Sequence, residues 1–277
     1  QAVEGQDGPH LYDGVGVEGI VPAADHSVVQ LADGRQLRAR LVVAADSRFS
    51  ATRRMMGIGA QMRDFGKSML VCRVALERSH EQTAWEWFDH GSTMALLPLN
   101  DGQASAVITQ PPRDIAGLLA LDDAALGRRI TGLFHERLGA MTPVARPQAY
   151  PLVAVYAHRF VGQRYALVGD AAVGMHPVTA HGFNFGLQSQ QRLAAAVCSA
   201  AATGRDIGAD SLLAGYQRGH RRATRPLYEA TNLVAGLYTD ERLPARIMRS
   251  AALRVAQGVA PFRQIISSHL TQRQAAH

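Results

Sequence analysis

Two short apolar runs in this chain end alike, each on an aspartate followed by small residues. The first is Val42-Val43-Ala44-Ala45-Asp46-Ser47, and the second is Ala166-Leu167-Val168-Gly169-Asp170-Ala171-Ala172. An aliphatic run without polar alternation suits a strand covered on both faces of a sheet. In α/β folds, ligands sit just beyond the carboxyl ends of such strands. A carboxylate placed there can accept hydrogen bonds from the hydroxyls of a ribose- or ribitol-like chain, while small neighbours let a ligand approach closely. Either aspartate alone is read more simply as a cap on a following helix or turn. The pair together, with the residues after Asp170, favours a ligand.

Those residues are Gly174-Met175-His176-Pro177-Val178-Thr179-Ala180-His181-Gly182-Phe183-Asn184-Phe185-Gly186. Pro177 fixes a loop, and Gly182 and Gly186 allow close packing. The spacing predicts a helix from near Gly182 to about Ala202, ended by Gly204. Its first turn points free N–H groups and a positive dipole end outward, an arrangement suited to negative charge.

Elsewhere the pattern is mostly β. Val15, Val17 and Ile20 lead to Pro22; Val28, Val29 and Leu31 lead to the turn dipeptide Asp33-Gly34; and Leu37 to Ala45 reads as one strand. Alternation over 67–110 predicts an antiparallel sheet, with Asn100-Asp101-Gly102 as a turn. Helical spacing covers 122–139, stopping at Gly139. From Ser211 onward the pattern is helical, with expected breaks at Pro226, Pro244 and Pro261.

The net charge of +6 sits entirely after residue 204, where eleven arginines face five acids. A solvated helical face or a membrane-surface contact explains it better than nucleic acid, which is not expected as a partner. Two distant cysteines, Cys72 and Cys198, make a disulfide framework or zinc site unlikely; Cys198, in an alanine-rich run, reads as core. His176 and His181 have no carboxylate at ligand spacing, so no metal is expected. Trp85 and Trp87 read as one packed strand face. No secretory signal or uninterrupted membrane span is visible, and a cytoplasmic protein, peripheral at most on the inner membrane face, is expected.

The run Gly169-Asp170-Ala171-Ala172, then His176-Pro177, then Gly182-Phe183-Asn184-Phe185-Gly186, resembles the second FAD motif of the para-hydroxybenzoate-hydroxylase-like monooxygenases. Its His-Pro…Gly-x-Asn-x-Gly form is similar to the ubiquinone-biosynthesis hydroxylases in that group. The His181-containing version resembles the 5-demethoxyubiquinol hydroxylase branch. Asp46-Ser47-Arg48-Phe49-Ser50-Ala51-Thr52-Arg53 resembles the family's Asp-Gly motif. Ser47 departs from its usual glycine, and Ala180-His181 departs from the usual Gly-Gln.

The resemblance implies an α/β fold with α+β character. Part of an FAD/NAD(P)-binding Rossmann-like domain (1–62 and 161–205) would carry an inserted antiparallel-sheet substrate domain (63–160) and C-terminal helices (206–277). It implies that Asp170 binds the ribitol of FAD, with Gly182, Phe183 and Asn184 along the pyrimidine side of the ring. Pro177 and His181 would lie near the flavin, and Asp46 and Arg53 along the dinucleotide side. No side chain is expected to carry the chemistry itself. The implied activity is hydroxylation of an aromatic ring, a polyprenyl phenol or quinol, with FAD, NAD(P)H and oxygen. A flavin reductase of the same fold and a non-catalytic remnant in a quinone-synthesis complex are the alternatives. The family's opening Gly-x-Gly-x-x-Gly turn is not in this sequence, and roughly 100 residues carrying it are expected ahead of Gln1.

Overall fold

The computed structural model describes residues 8–89, 92–176 and 182–239. The chain divides into two compact units, Gln1–Tyr228 and Glu229–His277.

Strands β1 (Val17–Pro22), β2 (Ser27–Leu31) and β3 (Gln36–Ala39) form an antiparallel meander. Its second turn needs Gly34, at φ +85°, whose N–H donates to the Leu31 carbonyl at 3.0 Å. The expected single strand over 37–45 is two strands in different sheets. β4 (Val42–Ala44) begins a new direction after Arg40 and Leu41, and the Val42 N–H donates to the Arg164 carbonyl at 2.9 Å. Nor is β4 covered on both faces, since Val43 is 46% exposed.

After the short helix α1 (Ala51–Met55), β5 (Ala60–Leu76) runs for 17 residues. It is followed by β6 (Trp85–Asp89), β7 (Ser92–Pro98), β8 (Gln103–Gln110), α2 (Pro112–Leu119), α3 (Asp123–Leu133), β9 (Met141–Pro143) and β10 (Gln148–Ala157). These strands build the expected antiparallel sheet, in the order β10-β5-β8-β7-β6, with β9 also paired to β5. One face of the sheet is core. Leu70, Cys72, Val74, Leu96, Ala106 and Ile108 are buried against Ile115 of α2 and Leu126 and Ile130 of α3. The indole rings of Trp85 and Trp87 stack 6.0 Å apart, and Trp87 meets Phe134 edge-on at 5.1 Å, so both belong to that packed face.

Helix α3 starts where the Asp122 carboxylate accepts the Ala125 N–H. It ends at Leu133, six residues before the expected stop, because His135 and Glu136 both take left-handed φ of 54°. The Thr131 hydroxyl then accepts the Met141 N–H at 2.9 Å and holds β9 against the helix.

The chain continues through β11 (Val161–Gly162), β12 (Tyr165–Leu167), a 3-10 turn at Gly169–Ala171, and β13 (Val173–Gly174), which joins β10. Helices α4 (Gly182–Ala202) and α5 (Asp210–Thr239) close the described chain. α4 has the expected limits, with Gly204 at φ +65° just past its end. A second core surrounds β12: Tyr165, Ala166, Leu167, Phe160 and Ala171 are all fully buried, and Leu213 and Tyr216 of α5 pack on them.

Two sequence expectations fail in these helices. Pro226 lies inside α5 and does not break it. The carbonyl left without an N–H partner belongs to Arg222, and both residues are exposed, so solvent can reach it. Cys198 is exposed on α4 rather than core. Pro244 and Pro261 lie outside the described residues. No described helix is long and apolar enough to cross a membrane.

Candidate functional site

The two aspartate-ended runs are neighbours. β12 pairs with β4 in parallel, with Tyr165 opposite Val42, Ala166 opposite Val43 and Leu167 opposite Ala44. Asp46 and Asp170 therefore follow adjacent carboxyl ends of one parallel pair, the position where α/β folds place ligands.

The Asp46 carboxylate serves its own loop. It accepts the Ser50 hydroxyl at 2.5 Å and both the N–H and the hydroxyl of Thr52 at 3.0 Å. Burial alone would raise its pKa, but these donors outweigh burial and hold it below the usual carboxylate value. The capping reading thus describes what the Asp46 side chain does here. Ser47 sits at φ +70°, the left-handed region that favours glycine, which gives a physical reason for the family's usual residue at that position. Tyr165 reinforces the loop from below, donating to Thr52 Oγ1 at 3.0 Å, and burial pushes its phenol up to about 12.

Arg53 is 2% exposed and turned inward. Its Nη1 donates to the Ala171 carbonyl at 2.8 Å and its Nη2 to the Arg48 carbonyl at 3.2 Å. One guanidinium therefore ties the loop after β4 to the loop after β12. A second does the same on the surface. Arg48 donates through Nη2 to Asp170 Oδ2 at 2.7 Å and through Nη1 to the Val153 carbonyl at 3.0 Å. Gly174 makes room for it, since a Cβ there would stand 3.2 Å from the Arg48 Cβ.

The start of α4 packs on the same loop. Ser189 Oγ accepts the Gly169 N–H at 2.9 Å and donates to the Gly186 carbonyl at 2.6 Å. A Cβ on Gly186 would stand 3.6 Å from the Gly169 Cα. The first turn of the helix is open: Phe183 is 77% exposed, Asn184 is exposed, and a Cβ on Gly182 would meet nothing. Of the remaining expected site residues, Pro177 and His181 lie outside the described residues. His176, just before them, meets the Phe65 ring edge-on at 4.6 Å. Burial, then the nearby charges of Arg63 and Lys67, depress its pKa to about 4, so it is neutral at physiological pH. The polar depression between Asp25, His26, Arg38, Arg40, Arg164 and Asp206 shares no residue with this site. There Arg164 is committed to the carbonyls of Ala24 and Arg40 and to both oxygens of Asp206.

The profile of the FAD binding domain family matches residues 13–231. The chain belongs to that family.

Curated relatives of this FAD-binding chain include the ubiquinone hydroxylase UbiM of Neisseria meningitidis, 43% identical over 255 residues, covering 92% of this chain and 55% of the relative. The ubiquinone hydroxylase UbiL of Rhodospirillum rubrum is 35% identical, covering 86% of this chain and 56% of its own length. The 3-demethoxyubiquinol 3-hydroxylase of Escherichia coli is 30% identical, covering 84% and 59%. The chain thus spans a little over half the length of these relatives. Among solved structures, the OxyS anhydrotetracycline hydroxylase of Streptomyces rimosus matches with TM-score 0.71 at 18% identity, over 94% of this chain and 52% of that one. HpxO of Klebsiella pneumoniae, complexed with FAD and uric acid, matches with TM-score 0.70 at 20% identity, over 92% and 66%. Both show the fold.

The residues present suit the ribitol and ring portion of FAD. Asp170 Oδ1 accepts no hydrogen bond from a described residue, so one carboxylate oxygen remains for a hydroxyl. Gly169, at φ +58°, leaves open space beside it. Sequence reasoning gave no role to Arg48 or Ser189. Both act across more than 15 residues of sequence, and no local pattern marks such a contact.

Proposed function

We propose that this chain is the ribitol- and ring-binding part of an FAD-dependent monooxygenase that hydroxylates an aromatic ring. Its substrate class is a polyprenyl phenol or quinol of ubiquinone biosynthesis. The observation that carries the reading is the parallel pairing of β4 and β12, which sets Asp170 at a strand end with the start of α4 beside it. The names of the curated relatives supply the reaction class.

When bound, FAD supplies the redox chemistry, accepting hydride from NAD(P)H and activating oxygen. Asp170 would accept hydrogen bonds from the hydroxyls of the ribitol chain. Backbone N–H groups at Gly182, Phe183 and Asn184 would hold the pyrimidine edge, where a helix N-terminus would offset negative charge without a charged side chain. Pro177 and His181, outside the described residues, are proposed to act near the flavin. Asp46 and Arg53 would contribute on the dinucleotide side by holding the loop after β4.

Residues 63–160 form the substrate layer in this reading, 1–62 and 161–205 the cofactor layer, and 206–277 the C-terminal region, described as far as α5. The sheet face opposite α2 and α3 suits an apolar substrate: Val71, Val107 and Ala95 lie in one cross-strand row and are all only partly buried. A peripheral contact with an anionic membrane surface is supported by Arg218, Arg222 and Arg225, exposed at helical spacing along α5.

The test uses the intact protein with NAD(P)H, oxygen and a polyprenyl phenol. Oxygen uptake matched to substrate gaining one oxygen atom supports the proposal. NAD(P)H consumption with a reduced, unoxygenated product would assign a reductase, and a protein that never takes up flavin would assign a remnant.

A further inference from the structure

We infer that Arg48 is a positioning residue for the cofactor, holding Asp170 in the orientation that receives the polyol chain. The inference rests on the reading of Asp170 given above.

The geometry is specific. Asp170 is the middle residue of the 3-10 turn Gly169–Ala171, and its side chain is about one-third exposed. A carboxylate so placed is free to rotate unless something fixes it. Arg48 fixes one oxygen, Oδ2, at 2.7 Å. The other oxygen, Oδ1, is left for a hydroxyl. A charge-assisted bond to one oxygen removes the rotation of the carboxylate before the ligand arrives.

Arg48 is itself fixed. Its second terminal nitrogen is spent on the Val153 carbonyl of β10. Its stem packs over Gly174, where any side chain would crowd it. Its own carbonyl accepts from the buried Arg53. The residue is therefore anchored at backbone, stem and guanidinium, and only one contact, that to Asp170, leads to the site. This arrangement predicts a role a lysine can fill only in part, because one ammonium cannot hold two separate acceptors at the fixed spacing of the two terminal guanidinium nitrogens.

The test is FAD affinity of the intact protein, stripped of flavin and titrated back with flavin fluorescence as the readout, alongside apo-protein melting temperature. Arg48→Gln is expected to raise the FAD Kd roughly tenfold or more, with Arg48→Lys intermediate. Asp170→Asn should raise it comparably. Adding Arg48→Gln to Asp170→Asn should raise it no further, since Arg48 acts through that carboxylate. Two outcomes overturn the inference while leaving the site intact. One is Asp170→Asn weakening FAD while Arg48→Gln binds as wild type. The other is Arg48→Gln weakening FAD equally with or without Asp170, in step with a lowered melting temperature, which marks a structural strut. Unchanged FAD affinity in Asp170→Asn would instead overturn the assignment of Asp170 and the site reading with it.

Discussion

The Val168 N–H donates to the Ala44 carbonyl at 2.9 Å, the hydrogen bond that joins the two parallel strand ends just before Asp46 and Asp170. Leu167, fully buried beside it, also gives its carbonyl to the Tyr216 hydroxyl at 2.6 Å. Leu167→Ala leaves a cavity under both aspartate loops. It is expected to cost about 2–5 kcal/mol, read as a lower denaturant midpoint. A wild-type midpoint would show that this core does not support the site.

Gly127 is in the interior of α3, where alanine ordinarily stabilises a helix. Here a Cβ would stand 2.7 Å from the Met141 carbonyl oxygen and 3.0 Å from Pro143. Gly127→Ala is therefore expected to destabilise by about 1–3 kcal/mol, against helix propensity. Gly132, in the same helix with open space around it, is the control: Gly132→Ala should be neutral or stabilising. Equal melting temperatures for the two variants would contradict the packing described.

Arg53→Met should lose the two bonds to the Ala171 and Arg48 carbonyls while keeping most of the apolar stem. Removing a buried donor shared by two carbonyls is expected to cost about 2–4 kcal/mol. Arg53→Lys should recover less than half of it, because one ammonium cannot span both acceptors. Thermal unfolding of the three proteins decides the point; full recovery by lysine would mean that charge alone matters.

His220 is 1% exposed, stacked on Tyr216 with ring centroids 5.9 Å apart. Burial, then Arg192, lowers its folded-state pKa to about 4 from the ordinary 6.5 of a histidine. Above pH 6.5 both folded and unfolded chains hold it neutral, so it adds no pH dependence. As the pH falls from 6.5 through 4, the unfolded chain takes up a proton that the folded chain refuses, and stability declines across that window. His220→Phe is expected to be more stable than wild type by about 2 kcal/mol at pH 4.5, relative to the difference at pH 7. Parallel stability-against-pH curves for the two proteins would show that His220 is not held neutral.

Much of the architecture was legible because it is local. α4 from Gly182 to Ala202 follows from its periodicity and the glycine past its end, and the turn at Asn100-Asp101-Gly102 from residues that tolerate left-handed backbone. The packed Trp85 and Trp87 follow from strand alternation. β10 gave no signal, although it joins β5 to β13, because its mixed run from Gln148 to Ala157 crosses from an exposed half to a fully buried one. The end of α3 was misplaced because two residues of no special type, His135 and Glu136, are held left-handed by their surroundings.

The sequence by itself determined which residues could meet a dinucleotide: two carboxylates after apolar runs, and a helix start rich in glycine. Those properties depend on covalent chemistry and short-range periodicity, which any window of the chain displays. Only the tertiary structure decided that the two runs lie parallel and adjacent. It also turned Asp46 to its own loop and gave Asp170 an arginine 122 residues away. Contacts of that range depend on how whole strands pack and on which groups are left unpaired when they do, and no local pattern encodes either.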